Sequence, residues 1–188
     1  RELETIFRNL GFTVVDGPEV EREYYNFDAL NIPATHPARD MQDTFWVTPD
    51  KRFKNTYIPR THTSTVQVRY MREYKPPIRI IVPGRIFRNE ATDASHEHTF
   101  HQFECLMVDE PGKATVATFK HIGETFFSRF FGKKIDIPLR PSFFPFTEPS
   151  FEFDISCVIC EGTGCSVCQG TGWLEIGGAG MVNQKVFE

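Results

Sequence analysis

The stretch TFHQFECLMV, residues 99–108, alternates at a period of two, so that Phe100, Gln102 and Glu104 share one face and His101, Phe103, Cys105 and Met107 the other. That alternation predicts a β-strand over Thr99 to Val108. Upstream, Arg79 to Val82 is an apolar run, and Thr44 to Val47 and Asn55 to Ile58 read as short strands. Downstream, Phe151, Phe153 and Ile155 alternate with Glu152, Asp154 and Ser156, and Trp173 to Ile176 supplies a return partner. Phe12 to Val15 is a further strand, stopped by Gly17-Pro18. Leu3, Ile6, Phe7 and Leu10 recur at helical spacing before Gly11, and Ser64 to Tyr74 and Lys113 to Phe131 read as helices. The strands follow one another without the regular βαβα order of a parallel sheet. An α+β fold is expected, with a mainly antiparallel sheet flanked by helices.

The 188 residues suffice for one domain, expected over 1–188. Hydrophobic residues at 40% beside charged residues at 24% exclude a disordered or fibrous chain. No apolar run approaches the roughly 18 residues of a membrane span, and Arg1-Glu2-Leu3-Glu4 is too charged for a signal peptide. No membrane partner is expected. The net charge of -4 excludes a generally basic nucleic-acid binder and leaves a local basic cleft open.

Five cysteines make an odd count, and four of them lie in CVICEGTGCSVCQGTG, residues 157–172, an eight-residue phrase C-x-x-C-x-G-x-G given twice. In a reducing compartment, the cytoplasm, this spacing points to a metal rather than to disulfides. Four thiolates close a tetrahedral shell and leave no open position for catalysis, so Cys157, Cys160, Cys165 and Cys168 are expected to hold a structural zinc ion in a hairpin insert. Four free thiols in a loop are the plainer alternative. Chemistry then has to come from elsewhere.

An aromatic, an amide and a carboxylate in a row at Phe100, Gln102 and Glu104 suit a flat base and an ammonium group. An exposed polar face explains them as well. In GRIFRNE, residues 84–90, Arg88 and Glu90 project to one side, an arginine fork for phosphate and a carboxylate for an amine, or else a surface ion pair. In RTHTSTVQVRYM, residues 60–71, His62 and Ser64 stand where a helix begins, a place that attracts anions, although Ser64 also reads as a simple N-cap. In SFFPFTEPS, residues 142–150, Phe144 and Phe146 on one side of a strand form an apolar slot or ordinary core packing. A metal-dependent hydrolase built on His96, His98 and His101, with Glu97 or Glu104 as base, is a rival reading.

Taken in order, GFTVVDGPEVEREYYNFDALNIPATHPARDMQDTFW, RTHTSTVQVRYM, IVPGRIFRNEATDASHEHTFHQFE, FFPFTEPS and WLEIGGAGMV resemble the α-chain family of bacterial phenylalanyl-tRNA synthetases, within the class II aminoacyl-tRNA synthetases. The resemblance implies a class II catalytic fold and ATP-dependent activation of L-phenylalanine with transfer to tRNA(Phe). It further implies Mg2+ with the ATP and a β subunit in an α2β2 assembly. By that resemblance the first helix and the strand ending at Pro18 correspond to motif 1, and GRIFRNE to motif 2. Arg88 would hold the α-phosphate, Glu90 the adenine amine, Phe100 the adenine ring, and His96 a place near the nucleotide. His62, Ser64, Gln102 and Glu104 would hold the amino acid's ammonium group, with a weaker carry-over at Gln67. The substrate ring would lie between Phe144 and Phe146, with Thr147 and Trp46 as neighbours.

The family's motif 3 and its N-terminal coiled-coil arm do not occur in these residues, and Asn183-Gln184 replaces the family's usual His-Pro. A catalytic-domain fragment, truncated before motif 3, is therefore expected. A non-catalytic binding module of the same fold is the second rival.

Overall fold

The computed structural model describes residues 1–36, 44–48, 55–89 and 97–188. The chain forms two compact units, Gly11–Asp109 with Gln184–Glu188, and Arg1–Leu10 with Glu110–Asn183.

The first unit is built on strand β4 (Ile78–Phe87), flanked by β1 (Thr13–Val14) in parallel and β5 (Thr99–Val108) in antiparallel register. Ile80, Ile81 and Val82 are fully buried, the mark of a strand covered on both faces, which is why no alternation is visible there. A second small sheet pairs β2 (Val20–Arg22) with β3 (Tyr57–Pro59). The one-turn helix α2 (Glu23–Asn26) follows β2, and α3 (Ser64–Glu73) follows β3. The buried Glu21 carboxylate of β2 receives both Nε and Nη2 of Arg69 on α3 at 2.6 Å, so a charge that burial would otherwise penalise is paired.

One expectation changes here. Residues 44–48 form no strand, although Val47 N–H donates to Tyr57 O at 3.1 Å. The ladder partner of β3 is β2, whose charge-rich sequence hid it.

The second unit holds α1 (Glu2–Asn9), α4 (Val116–Phe131) and a meander of β6 (Leu139–Phe144), β7 (Thr147–Ser156) and β8 (Trp173–Val182). Phe7 of α1 stacks on Phe126 of α4 at 4.5 Å, and Phe119 and Phe127 of α4 meet Phe153 of β7. Helix α4 starts three residues later than its apolar pattern suggests, because Thr115 Oγ1 accepts from Thr118 N–H and caps it there. Gly132, at φ 66°, ends it as expected. Strand β8 runs on through Gly177, Gly178 and Gly180, residues that read as strand breakers in isolation. Apart from β1 with β4, the strand pairings among the described residues are antiparallel, and the fold is α+β.

Candidate active site and metal centre

The register of β4 and β5 sets Ile86 beside Phe100, Gly84 beside Gln102 and Val82 beside Glu104. Paired residues leave an antiparallel sheet on the same side, so Phe100, Gln102 and Glu104 share the face expected of them. Arg88 lies one residue past the end of β4, where its N–H donates to His98 O at 3.0 Å. Its guanidinium carbon stands 5.1 Å from the Phe100 ring centroid, and its Nε donates to Thr61 O at 3.3 Å. A cation and a flat ring thus open onto one place.

Further along that face, the start of α3 closes on the two polar side chains. Thr63 N–H is shared between Gln102 Oε1 (3.2 Å) and Glu104 Oε1 (3.0 Å). Ser64 Oγ donates to Glu104 Oε2, which also accepts from Gln67 Nε2 at 3.2 Å. The anion drawn to this helix start is the Glu104 carboxylate itself. Ser64 is therefore not the N-cap; Thr63 holds that position.

His62 is buried, and its Nε2 lies 3.0 Å from Asn26 O. A carbonyl only accepts, so Nε2 carries the proton. Burial lowers the His62 pKa below its ordinary value. The neutral ring then leaves the buried Nδ1 lone pair with no partner, and the hydroxyls of Thr63 and Thr65 are likewise buried without one. Asn26 fixes this turn by donating to Thr61 Oγ1 (2.9 Å) and accepting from Thr61 N–H (3.1 Å).

Arg60 was not foreseen. It is 1% exposed, and its guanidinium donates to Arg85 O (2.8 Å), Gly17 O (3.2 Å) and Pro18 O (3.4 Å). Its own N–H reaches Glu19 O and its carbonyl accepts from Phe87 N–H, so one residue ties the loop after β1 to the end of β4. An arginine between a proline and a threonine carries no local signal of burial. Trp46 is 53% exposed, 6.4 Å from the Phe27 ring. Glu90 and His96 lie outside the described residues.

The aromatic pair belongs to the other unit. Phe144 and Phe146 do not alternate along one strand: Phe144 ends β6, and Pro145-Phe146 is the two-residue turn into Thr147 of β7. Their rings stand 5.9 Å apart at 22°. A third ring inserted face to face would need two contacts of about 3.5 Å each, about 7 Å in all. The pair is a wall rather than an open slot. A Cβ at Gly178 would lie 2.5 Å from the Phe144 ring, so that glycine lets β8 pass beneath the wall, while one at Gly180 would strike the Pro149 carbonyl oxygen and lie 2.8 Å from Thr147 Cβ.

Between Ser156 and Trp173, residues 157–172 close the β7–β8 hairpin. The four cysteine sulfurs lie within 4.8 Å of one another. Cys157 and Cys165 are separated by 3.8 Å, Cys160 and Cys168 by 3.7 Å, and Cys165 and Cys168 by 3.8 Å. Sulfurs about 2.3 Å from one tetrahedral ion stand about 3.8 Å apart, so the thiols fit a single ion. Although burial opposes it, N–H groups of Cys165 and Gly172 aimed at its sulfur bring the Cys168 thiol down to about 6. Among the described residues no second group of metal-ligating side chains occurs; His98 instead packs on Phe45 at 5.7 Å.

One antiparallel face thus carries an arginine, a ring and a carboxylate, the last under a helix start. The chain belongs to the family described as tRNA synthetases class II core domain (F), which matches residues 1–188. More particularly, it is 54% identical over 188 residues to the phenylalanine–tRNA ligase alpha subunit of Petrotoga mobilis, covering 100% of this chain and 53% of that protein. It is 56% identical over 186 residues to that of Trichlorobacter lovleyi, covering 99% and 52%. The chain spans about half the length of the curated relatives it matches. Among solved structures, pyrrolysyl-tRNA synthetase from Desulfitobacterium hafniense shares the fold at a TM-score of 0.62 and 17% identity, over 85% of this chain and 54% of that one.

Proposed function

We propose that this chain is the catalytic core of a phenylalanine–tRNA ligase alpha subunit, activating L-phenylalanine with ATP and passing it to tRNA(Phe). The observation that carries the reading is the Arg88–Phe100 pair beside the Glu104 hub on one strand pair, in a chain whose relatives bear that name. The amino acid's carboxylate oxygen attacks the α-phosphorus of ATP, the bond to pyrophosphate breaks, and the ribose hydroxyl of the tRNA later displaces AMP. The attacking oxygen is already anionic, so the protein needs no nucleophile of its own. Its work is orientation and charge stabilisation.

Arg88 holds the α-phosphate, Phe100 stacks on the adenine, and Glu90 and His96 complete the nucleotide contacts. Mg2+ arrives with the ATP and screens its phosphate charge. The ammonium group donates to His62 Nδ1 and sits against the Glu104 carboxylate, which Ser64, Gln67 and the Thr63 N–H hold in place beside Gln102. The family resemblance assigns the substrate ring to Phe144 and Phe146, with Thr147 and Trp46 as further residues for it. Residues 1–188 read as one catalytic domain, with 157–172 as an insert whose four cysteines hold a structural zinc ion. A β subunit in an α2β2 assembly and a cytoplasmic location complete the reading.

Pyrophosphate exchange by the full-length subunit with its partner tests it. Exchange should require phenylalanine, and Arg88→Ala should slow it by about 10²- to 10³-fold. Exchange indifferent to phenylalanine would overturn the reading, and a loss under tenfold would remove Arg88 from the phosphate.

A further inference from the structure

We infer that Gly164 and Gly172 are the positioning residues of the cysteine centre, each locking one half of the repeat onto the other so that four sulfurs converge as a single interlocked site. The inference rests on reading Cys157, Cys160, Cys165 and Cys168 as a metal site. The two eight-residue phrases fold alike. Glu161 and Gln169 have φ of 53° and 51°, Gly162 and Gly170 have 87° and 79°, and Gly164 and Gly172 have 95° and 78°. Thr163 and Thr171 hydroxyls donate to Cys160 O and Cys168 O, each at 2.7 Å. Gly164 N–H points at Cys160 Sγ and Gly172 N–H at Cys168 Sγ, each at 3.2 Å, in the manner that stabilises thiolate ligands.

The halves then cross. A Cβ at Gly164 would lie 2.6 Å from Gly170 O, and a Cβ at Gly172 would collide with Gly162 O in the reverse sense. The sulfurs pair across the same relation, first cysteine with first and second with second, at 3.8 and 3.7 Å. Gly162 and Gly170 share the left-handed backbone but have nothing within 4 Å of a built Cβ. Four glycines of one conformation therefore divide into two kinds. One pair is needed for its φ alone, the other for φ and for a backbone-to-backbone approach that no side-chain shift can relieve. Separating the halves at either crossing pulls two sulfurs away from the other two, so each half is left with only two of the four ligands.

Zinc affinity of the full chain, measured by competition with a chromophoric chelator, and the thiolate bands of the cobalt-loaded protein test the inference. Gly162→Ala and Gly170→Ala meet only the backbone strain and should weaken binding about tenfold. Gly164→Ala and Gly172→Ala should weaken it about 10- to 100-fold further and lose the tetrahedral cobalt spectrum. Asparagine accepts this backbone conformation, so Gly162→Asn should bind nearly as the parent does while Gly164→Asn remains defective, separating strain from collision. Equal affinity of the 162 and 164 variants, with a parent that binds one ion through thiolates, would overturn the interlock and leave the metal reading standing. A parent that binds neither ion would overturn both.

Discussion

At position 62 a neutral imidazole is held under the start of α3 with one nitrogen spent on Asn26 O and the other lone pair buried without a partner. Its folded pKa lies below the ordinary 6.5 because burial disfavours the charged ring. The unfolded chain therefore binds more protons as pH falls through 6.5, and stability contributed above that value is lost on acidification toward the folded pKa. Thermal unfolding between about pH 8 and about pH 5 should show a drop in midpoint that His62→Gln reduces; an unchanged slope would mean that His62 is charged in the fold. The residues alone marked Gln102 and Glu104 as polar hooks on one strand face and His62 and Ser64 as standing at a helix start, and the ammonium role of all four is what the family resemblance implies. Their mutual bonding was not legible, since residues 64 and 104 are joined only by the docking of α3 on β5, and the anion at that helix start proved to be the protein's own carboxylate.

Among the elements, β4 shows most clearly how packing decides a sequence choice. Gly84 looks like a strand interruption, yet a Cβ there would strike the Arg60 guanidinium, which three backbone carbonyls hold in place. Gly84→Ala should overpack this seam and cost about 1–3 kcal/mol, read as a lower denaturant midpoint with unchanged slope. In a double-mutant cycle Gly84→Ala should cost less in an Arg60→Ala background than in the parent if the collision is its cause, although Arg60→Ala itself destabilises by leaving three carbonyls unpaired. Strand β5 was legible to its bounds because one half-buried face makes polarity alternate. Strand β2 was not legible, because its buried member is a paired glutamate, and β8 was legible only over Trp173 to Ile176, because the glycines beyond answer to Phe144, Pro149 and Thr147. The aromatic wall was legible as two phenylalanines and misread as a strand, since Pro145 and Phe146 form the hairpin turn.

Across the whole molecule, the second unit joins the first ten residues to a segment that begins at Glu110, a hundred positions later. Its contact is Phe7 on Phe126, both nearly fully buried. Phe7→Ala should cost about 3–5 kcal/mol and raise amide exchange in α4, measured by hydrogen exchange; unchanged protection there would show that α1 contributes little to the unit. What the sequence alone determined is the chemistry available: the α+β class, the repeated thiol phrase, the blocks shared with the family, and the residue types that could meet a nucleotide and an amino acid. Local periodicity and spacing carry that information because they depend on near neighbours along the chain. Only the tertiary structure decided that Arg88 stands over Phe100, that Glu104 occupies the helix start, that Arg60 is a buried tie, and that the two cysteine phrases clasp each other. Those facts depend on which surfaces exclude water together, and burial between distant segments leaves no period in the sequence to read.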